Sequence, residues 1–133
     1  MMALGVLPKK LRTPLIENAI QQGIDFLFSV DLAKAAYPSG FAPKPSGNWW
    51  KFGFPVFYVT DLLQLAEALG GLGYGGDPRL AGTIDFIREQ ADAHGRWATR
   101  YNYAGKTWSD WGRGGQPGKW VTIRALRVLK NIS

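Results

Sequence analysis

Three side chains of this sequence stand where acid–base chemistry could occur. Asp61 starts a segment that is otherwise apolar, and a carboxylate in such a setting needs either a partner or a function. Asp110 lies between two tryptophans, where a turn or capping role is the simpler interpretation. His94, the single histidine, precedes Gly95 and is expected at the surface or at a helix end. For Asp61 we favour a bond to a nearby arginine or backbone N–H over a functional role.

The composition removes most other kinds of catalytic site. Without cysteine the chain can form neither a disulfide nor a thiolate metal site, and a single histidine cannot supply a multi-histidine zinc site. A Ser-His-Asp triad also lacks support. The glycine-rich segment 70–76 is followed by no Lys-Ser or Lys-Thr, so we interpret it as a turn between helices and not as a phosphate-binding loop. We therefore expect no metal and no cofactor.

Aromatic residues are concentrated in two predicted loop regions, near 49–58 and 97–120. Aromatic rings attract cations and can hold an isoprenoid or a sugar. The alternative is that they pack the long loops onto the helix ends, and we favour that interpretation for the cluster. The residues selected as candidate ligand contacts are Trp50, Phe54, Tyr58, Asp61, Tyr101, Trp108, Trp111 and Trp120.

Four helices are predicted to position these groups, over residues 14–30, 56–69, 78–92 and 119–131. Thr13-Pro14 and Asp77-Pro78 each place a capping oxygen before a proline at the first helical position. Apolar residues recur at spacings of three and four behind both caps, which is typical of amphipathic helices. The fold class is therefore predicted to be all-α, in a single domain over residues 1–133.

The second and last helices are expected to bury different amounts of surface. The second is apolar nearly all round, which indicates burial on most sides, and it is expected to stop at Gly70-Gly71. The last helix is expected to bury one stripe, formed by Trp120, Ile123, Leu126 and Val128 or Leu129.

The two halves of the chain look like diverged copies of one helical hairpin of roughly 60 residues. The matched segments are Ile24 to Leu27 with Ile84 to Ile87, Gly47 to Trp49 with Gly95 to Trp97, and Pro55 to Thr60 with Pro117 to Thr122. Three matches in the same order, each at the same point of a hairpin, predict a duplication. Repeat one would cover about 13–70 and repeat two about 77–133.

A motif in the second copy resembles a known repeat. Gly82, Phe86, Gln90, Gly95 and Trp97 stand in the pattern G-x3-F-x3-Q-x4-G-x-W. This is similar to the glutamine-tryptophan repeat of the terpenoid cyclase and protein prenyltransferase superfamily, which includes squalene–hopene cyclases. The resemblance covers most of the chain from about residue 13. It implies two αα-hairpin repeats that form a segment of an α/α toroid.

The resemblance also implies structural roles for the motif residues. In that superfamily the glutamine and tryptophan tie the end of an outer helix to the neighbouring hairpin, which implies this role for Gln90 and Trp97. The other residues assigned to the motif are Gly82, Phe86, Gly95 and, in the first copy, Gly47 and Trp49. Val30 stands where the first copy should have glutamine, so its tie should be weaker.

Two hairpins cannot close a toroid by themselves. Either the chain is part of a longer toroid, or copies assemble to cover the open faces. A homodimer is the default expectation because two-fold symmetry is the commonest closed arrangement. A trimer is the ring-closing alternative.

The residues that perform catalysis in this superfamily are missing. The sequence has no D-x-D-D acid cluster like that of squalene–hopene cyclases, and the Asp, Cys and His zinc site of the prenyltransferases cannot form without cysteine. We therefore expect a non-catalytic repeat protein that binds an apolar or isoprenoid-like ligand, or a protein partner. The alternative is a fragment of a larger terpenoid cyclase-like enzyme whose other repeats supply the acid.

The net charge of +6 allows a third function, the binding of nucleic acid. The basic residues are scattered from Lys9 to Lys130 without a dense run, so we favour an ordinary solvated surface. No apolar run reaches the roughly 18 residues of a spanning helix, and the N-terminal stretch does not have the pattern of a signal peptide. We expect a cytoplasmic protein without a membrane span.

Overall fold

The computed structural model describes residues 1–37 and 44–131. The regular secondary structure of this part of the chain is helical. The helices are α1 (Met2–Val6), α2 (Pro14–Leu27), α3 (Leu62–Leu72), α4 (Ala81–Glu89) and α5 (Lys119–Lys130). Short 3₁₀ turns cover Lys9–Leu11 and Pro78–Leu80. Three isolated β-bridges join loop segments, and the described residues form no sheet. The all-α prediction is confirmed.

Side-chain oxygens cap the N-termini of two of the predicted helical segments. Thr13 Oγ1 accepts the Ile16 N–H at 3.4 Å at the start of α2. Asp77 Oδ1 accepts the Arg79 N–H at 2.9 Å at the turn that leads into α4. Both caps precede a proline at the start of the segment, as predicted. The helices expected over 14–30, 78–92 and 119–131 are confirmed, with somewhat shorter bounds.

The second predicted helix, α3, differs from its expected bounds at both ends. It begins at Leu62 and not at residue 56, because Asp61 is the N-cap and its Oδ1 accepts the Gln64 N–H at 2.6 Å. Residues 56–60 belong to the preceding loop. The helix also continues through Gly70-Gly71 and ends at Gly73, whose φ of 94° is readily adopted only by glycine.

Gly70-Gly71 lies inside α3 and does not end the helix. α1 packs against α3 here, and the Gly5 carbonyl oxygen lies 3.6 Å from the position that a Cβ on Gly71 would take. This is an ordinary van der Waals distance, so the contact with α1 leaves room for a Cβ at this position.

Helix α3 is the centre of the core, as its apolar composition predicts. Leu62, Leu63 and Leu69 are completely buried, and α1, α4 and α5 pack around the helix. The buried residues contributed by the other segments include Ile20, Ile24, Leu80, Ile84, Ile87, Trp97, Val121, Ala125 and Val128.

Helix α5 turns a different side to the core from the one predicted. Its buried residues are Val121, Arg124, Ala125 and Val128. Ile123 and Leu126 are 46% and 51% exposed, so the stripe predicted through them is wrong. The hydrophobic pattern failed because it excludes a charged residue from the core, whereas Arg124 is buried by ion pairs to α3.

One of the three matched sequence pairs does not occupy equivalent positions. Pro117 to Thr122 runs into α5, which starts at Lys119, whereas Pro55 to Thr60 ends before α3 begins. The match in residue type is therefore not a match in structure. The expectation that all three pairs lie at the same point of a hairpin is wrong for this pair.

Candidate functional site

The two long loops pair along a short stretch of backbone. The Arg100 N–H donates to the Phe52 carbonyl oxygen at 2.8 Å, and the Phe54 N–H donates to the Tyr101 carbonyl oxygen at 3.1 Å. Gly53 lies between these bonds, where a Cβ would collide with the Tyr101 carbonyl oxygen. This position therefore admits only glycine. The pairing brings Phe54 and Phe57 of the first loop against aromatic residues of the second.

The first group of rings consists of Phe54, Trp111 and Trp120. Phe54 stacks on Trp120 with a centroid distance of 5.1 Å and an interplanar angle of 13°. Trp111 lies edge-on to both rings, at 5.2 Å from Phe54 and 5.9 Å from Trp120. The Lys119 ammonium lies 5.1 Å from the centre of the Trp120 ring, within the range of a cation–π contact. Three of the selected ligand-contact candidates therefore meet here.

The second group of rings surrounds Tyr103. Phe57, Tyr101 and Tyr58 lie with their centroids 4.7, 5.2 and 6.2 Å from that of Tyr103. Interaction with the Tyr101 hydroxyl, followed by burial, raises the pKa of Tyr103 to about 12. No described atom meets the geometry of a hydrogen bond to the buried Tyr103 hydroxyl, so its contact with Tyr101 is electrostatic and not a well-aligned bond. Sequence reasoning included Tyr103 in the cluster but did not select it.

Trp108 is the unusual residue of the second loop. Its side chain is fully exposed, although tryptophan is highly buried on average. It borders an open cavity of about 330 Å³, whose other walls include Pro55, Phe57 and Trp111. We call this cavity the apolar cleft. Lys106 lies at its rim.

A second cavity adjoins the apolar cleft. It has a volume of about 520 Å³ and is lined by residues 102–105 and 107–114. We call it the polar cavity, because Asn102, Asp110 and Arg113 contribute to its walls. Trp108 and Trp111 are among the residues that line both cavities.

Asp61 takes part in a buried ion cluster away from these rings. Its carboxylate accepts the Gln64 N–H as the cap of α3, accepts the Gly53 N–H at 3.1 Å, and pairs with the Arg124 guanidinium at 3.2 Å. Glu67 also pairs with Arg124, at 2.8 Å. These bonds satisfy Asp61 with an arginine and backbone N–H groups, which is the interpretation favoured from sequence.

Arg124 connects the loops to the helices. Its Nη1 donates to the Gly53 carbonyl oxygen at 2.7 Å, next to the point where the loops pair. Burial opposes its charge, but attraction to Asp61 and Glu67 outweighs burial, and the pKa of Arg124 is raised. Sequence reasoning missed Arg124. The available signal was its spacing of three from Val121 and four from Val128, both buried on the same side of α5.

Trp97 ties α4 to α5. Its side chain is buried, and Nε1 donates to the Ile87 carbonyl oxygen at 2.6 Å near the end of α4. Its backbone N–H donates to Thr122 Oγ1 at 3.0 Å, and its carbonyl oxygen accepts the Gly118 N–H at the start of α5. These bonds hold one hairpin together. The resemblance implied that Trp97 ties its helix to the neighbouring hairpin, and these bonds do not make that connection.

Trp49 makes one of the corresponding bonds in the first half of the chain. Its carbonyl oxygen accepts the Leu62 N–H at 2.8 Å at the start of α3, as the carbonyl of Trp97 does at the start of α5. The indole differs, because Nε1 of Trp49 donates to the Leu32 carbonyl oxygen at 2.9 Å.

Tyr37 makes the other corresponding bond. Its hydroxyl donates at 2.7 Å to the carbonyl oxygen of Leu27, ten residues earlier, and Nε1 of Trp97 donates to that of Ile87 at the same separation. The matched positions Leu27 and Ile87 thus have equivalent bonds with different donors. Sequence reasoning missed Tyr37 because it compared tryptophan with tryptophan.

The other motif residues have smaller roles. Gln90 is the C-cap of α4, and Gly95 adopts a φ of 69° in the following turn. Phe86 is half-buried and packs edge-on against a ring of the first loop. At Gly82 and Gly47 a Cβ would meet open space, so no contact requires glycine there.

Three other sequence candidates lie outside the ring groups or act in turns. Nε1 of Trp50 donates to the Ala33 carbonyl oxygen at 2.7 Å, which directs this indole to the segment after α2. Asp110 Oδ1 accepts the Gly112 N–H at 2.9 Å, which is the turn role expected from sequence. His94 is exposed in a turn, also as expected.

Comparison with known proteins found no match: no family model, no curated protein and no solved structure matches the chain. Within residues 1–37 and 44–131, no helix is long and apolar enough to cross a bilayer. The same residues contain no group of three or more side chains suited to binding a metal ion.

Proposed function

We propose that this chain is a non-catalytic repeat protein of the terpenoid cyclase and prenyltransferase-like superfamily, and that its apolar cleft binds an isoprenoid-like ligand. The observation that carries ligand binding is the fully exposed indole of Trp108 beside a cavity walled by Phe57 and Trp111. Large apolar surface next to a cleft is characteristic of binding sites. An apolar chain in the cleft would remove these rings from water, which is favourable in proportion to the area covered.

The equivalent bonds of the two halves support the repeat assignment. The carbonyl groups of Trp49 and Trp97 each accept an N–H at the start of the following long helix. The carbonyl groups of Leu27 and Ile87 each accept a bond from an aromatic side chain ten residues later. Two diverged copies of one hairpin would retain such bonds while the donor residue changes. On this basis we propose that the hairpins are a segment of an α/α toroid.

The hydrogen bonds and the ion pair of Asp61 support a non-catalytic function. A general acid for alkene protonation must be a strong carboxylic acid that faces the substrate. Asp61 instead accepts two backbone N–H groups and pairs with Arg124 in the protein interior. It therefore stabilises the connection between α3 and α5.

Titration calorimetry with farnesol tests the proposed ligand class. We expect saturable binding to the wild-type chain and a loss of about tenfold or more in affinity for Trp108→Ala. Leu11→Ala is the control, because Leu11 is also an exposed apolar side chain, 57% accessible, but lies in the 3₁₀ turn Lys9–Leu11, outside both the cleft and the proposed interface. Equal affinities of the two variants would show that the ligand binds elsewhere. If farnesol gives no heat of binding with the wild-type chain, the proposed ligand class is wrong.

We also propose that the chain self-associates, with a dimer as the default. Apolar side chains are exposed on α2, at Leu15 and Phe26, and on α5, at Ile123 and Leu126. Association of two copies would remove these exposed apolar side chains from water, as interfaces commonly do. Copies that meet at these helices would cover the two open sides of the hairpin pair.

Sedimentation equilibrium at micromolar concentration tests self-association. The proposal expects a mass twice that of the chain, reduced to the monomer mass by Leu15→Glu or by Leu126→Glu. A wild-type mass of 14.7 kDa would contradict it. In that case the exposed residues of α2 and α5 would be ordinary surface.

A further inference from the structure

The polar cavity beside the apolar cleft differs from it in chemistry. The two cavities share Trp108 and Trp111, so a molecule that fills the apolar cleft can extend across these rings into the polar cavity. The polar cavity has the larger volume, about 520 Å³ against about 330 Å³. A ligand that consists only of an apolar chain would leave the polar cavity filled with water.

The walls of the polar cavity contain hydrogen-bonding groups that the fold does not use. One carboxylate oxygen of Asp110 accepts the Gly112 N–H, and within the described chain the other oxygen has no protein partner. The Arg113 guanidinium takes part in no ion pair with the described residues. An acceptor, Asp110, and a donor, Arg113, therefore line one cavity.

The charges of this cavity favour a neutral ligand. Asp110 and Arg113 carry opposite charges, so together they provide no net attraction for an anion. A carboxylate accepts hydrogen bonds and a guanidinium donates them, and this combination matches neighbouring hydroxyl groups, each of which does both. The exposed indole of Trp108 supplies a flat apolar surface at the same place.

We propose that the polar cavity binds a neutral saccharide, so that the ligand of the two cavities is an apolar chain with a sugar head group. The apolar C–H side of a pyranose ring would stack on Trp108, while its hydroxyl groups bond to Asp110 and Arg113. This inference rests on the proposed function, because it takes the apolar cleft as the site of the chain.

Three ligands with the same chain and different head groups test the inference: n-octanol, n-octyl glucoside below its micelle concentration, and n-octyl phosphate. Calorimetry on the full chain should show octyl glucoside binding about tenfold more tightly than octanol, and more tightly than octyl phosphate. Asp110→Asn keeps the oxygen that accepts the Gly112 N–H. It should bring octyl glucoside close to the affinity of octanol and leave octanol binding unchanged. Arg113→Gln should have the same effect.

The outcomes separate this inference from the proposed function. Equal affinities for octanol and octyl glucoside would overturn the saccharide site and leave the apolar cleft intact. Tightest binding of octyl phosphate would also overturn it, in favour of an anion at Arg113. If neither the octyl compounds nor farnesol bind, the proposed function fails and the inference fails with it. Far-UV circular dichroism of both variants confirms that they fold.

Discussion

The second long loop has a base and a tip that differ in burial and in hydrogen bonding to the rest of the protein. At the base, residues 97–101, Trp97 is buried and both its backbone and side chain are bonded to helices. At the tip, residues 104–114, Trp108 is fully exposed and borders two cavities. The same residue type is therefore structural in one place and available for binding in the other. The difference lies in the partners that the fold supplies.

The ion cluster repeats this contrast for arginine. Arg124 pairs with two carboxylates and one carbonyl group inside the protein, next to the base of the loop. Arg113 lies at the tip and is exposed. Each of the first three predictions below compares a residue in or beside the base with one at the tip, and the fourth concerns Tyr103, which lies between them.

The largest effect is expected for the two tryptophans. Trp97→Ala should lower the free energy of unfolding by about 3–5 kcal/mol, because it removes a buried indole and its hydrogen bond to the Ile87 carbonyl oxygen. Trp108→Ala should lower it by about 1 kcal/mol or less, because its ring is in water. Urea denaturation followed by circular dichroism measures both. Similar midpoints would mean that the base is no more structural than the tip.

A comparable difference is expected for the arginines. Arg124→Met would leave Asp61 and Glu67 without their counter-charge, which costs about 3–5 kcal/mol for a buried pair. Arg113→Met should change stability by no more than about 0.5 kcal/mol. The same denaturation experiment applies. A stable Arg124→Met protein would show that the ion cluster can be replaced by apolar packing.

A smaller effect is expected for two glycines. Gly53→Ala places a Cβ against the Tyr101 carbonyl oxygen and should separate the paired loops, with a loss of about 1–3 kcal/mol. Gly114→Ala at the tip meets open space and should stay within about 0.5 kcal/mol of wild type. If Gly53→Ala is neutral, the loop pairing does not fix the aromatic groups.

The smallest effect concerns the titration of Tyr103. Its pKa in the folded protein is about 12, against 10.0 for an ordinary tyrosine. The folded state therefore disfavours the phenolate, and the associated stability is present below pH 10 and lost as the pH rises from 10 towards 12. The difference in ultraviolet absorbance between wild type and Tyr103→Phe should titrate with a midpoint near 12. A midpoint near 10 would place Tyr103 in the solvent with the tip.

Much of the fold could be predicted from local signals. The caps at Thr13 and Asp77 and the apolar composition of α3 are local properties; the two capped starts and the burial of α3 agree with the structure. The start of α3 was not predictable in this way. Whether residues 56–60 join the helix depends on whether Asp61 caps it, and the partners of Asp61 include Gly53 and Arg124, which lie outside the helix.

The candidate site was predictable only as a list of residue types. Phe54, Trp111 and Trp120 were all selected from the sequence, and the structure brings their rings together. Trp50 was selected on the same grounds but bonds to the segment after α2. Nothing in residue type distinguishes these outcomes, because they depend on which backbone carbonyl groups come within reach.

The sequence by itself determined the helical class and the concentration of aromatic residues in the two loops, because these follow from periodicity, capping and composition. Tertiary structure alone decided which aromatic and charged residues have partners. Arg124 is buried because the carboxylates of Asp61 and Glu67 pair with it there, whereas the ring of Trp108 is fully exposed. Burial of a polar or amphipathic side chain depends on partners distant in sequence, and local patterns contain no information about such partners.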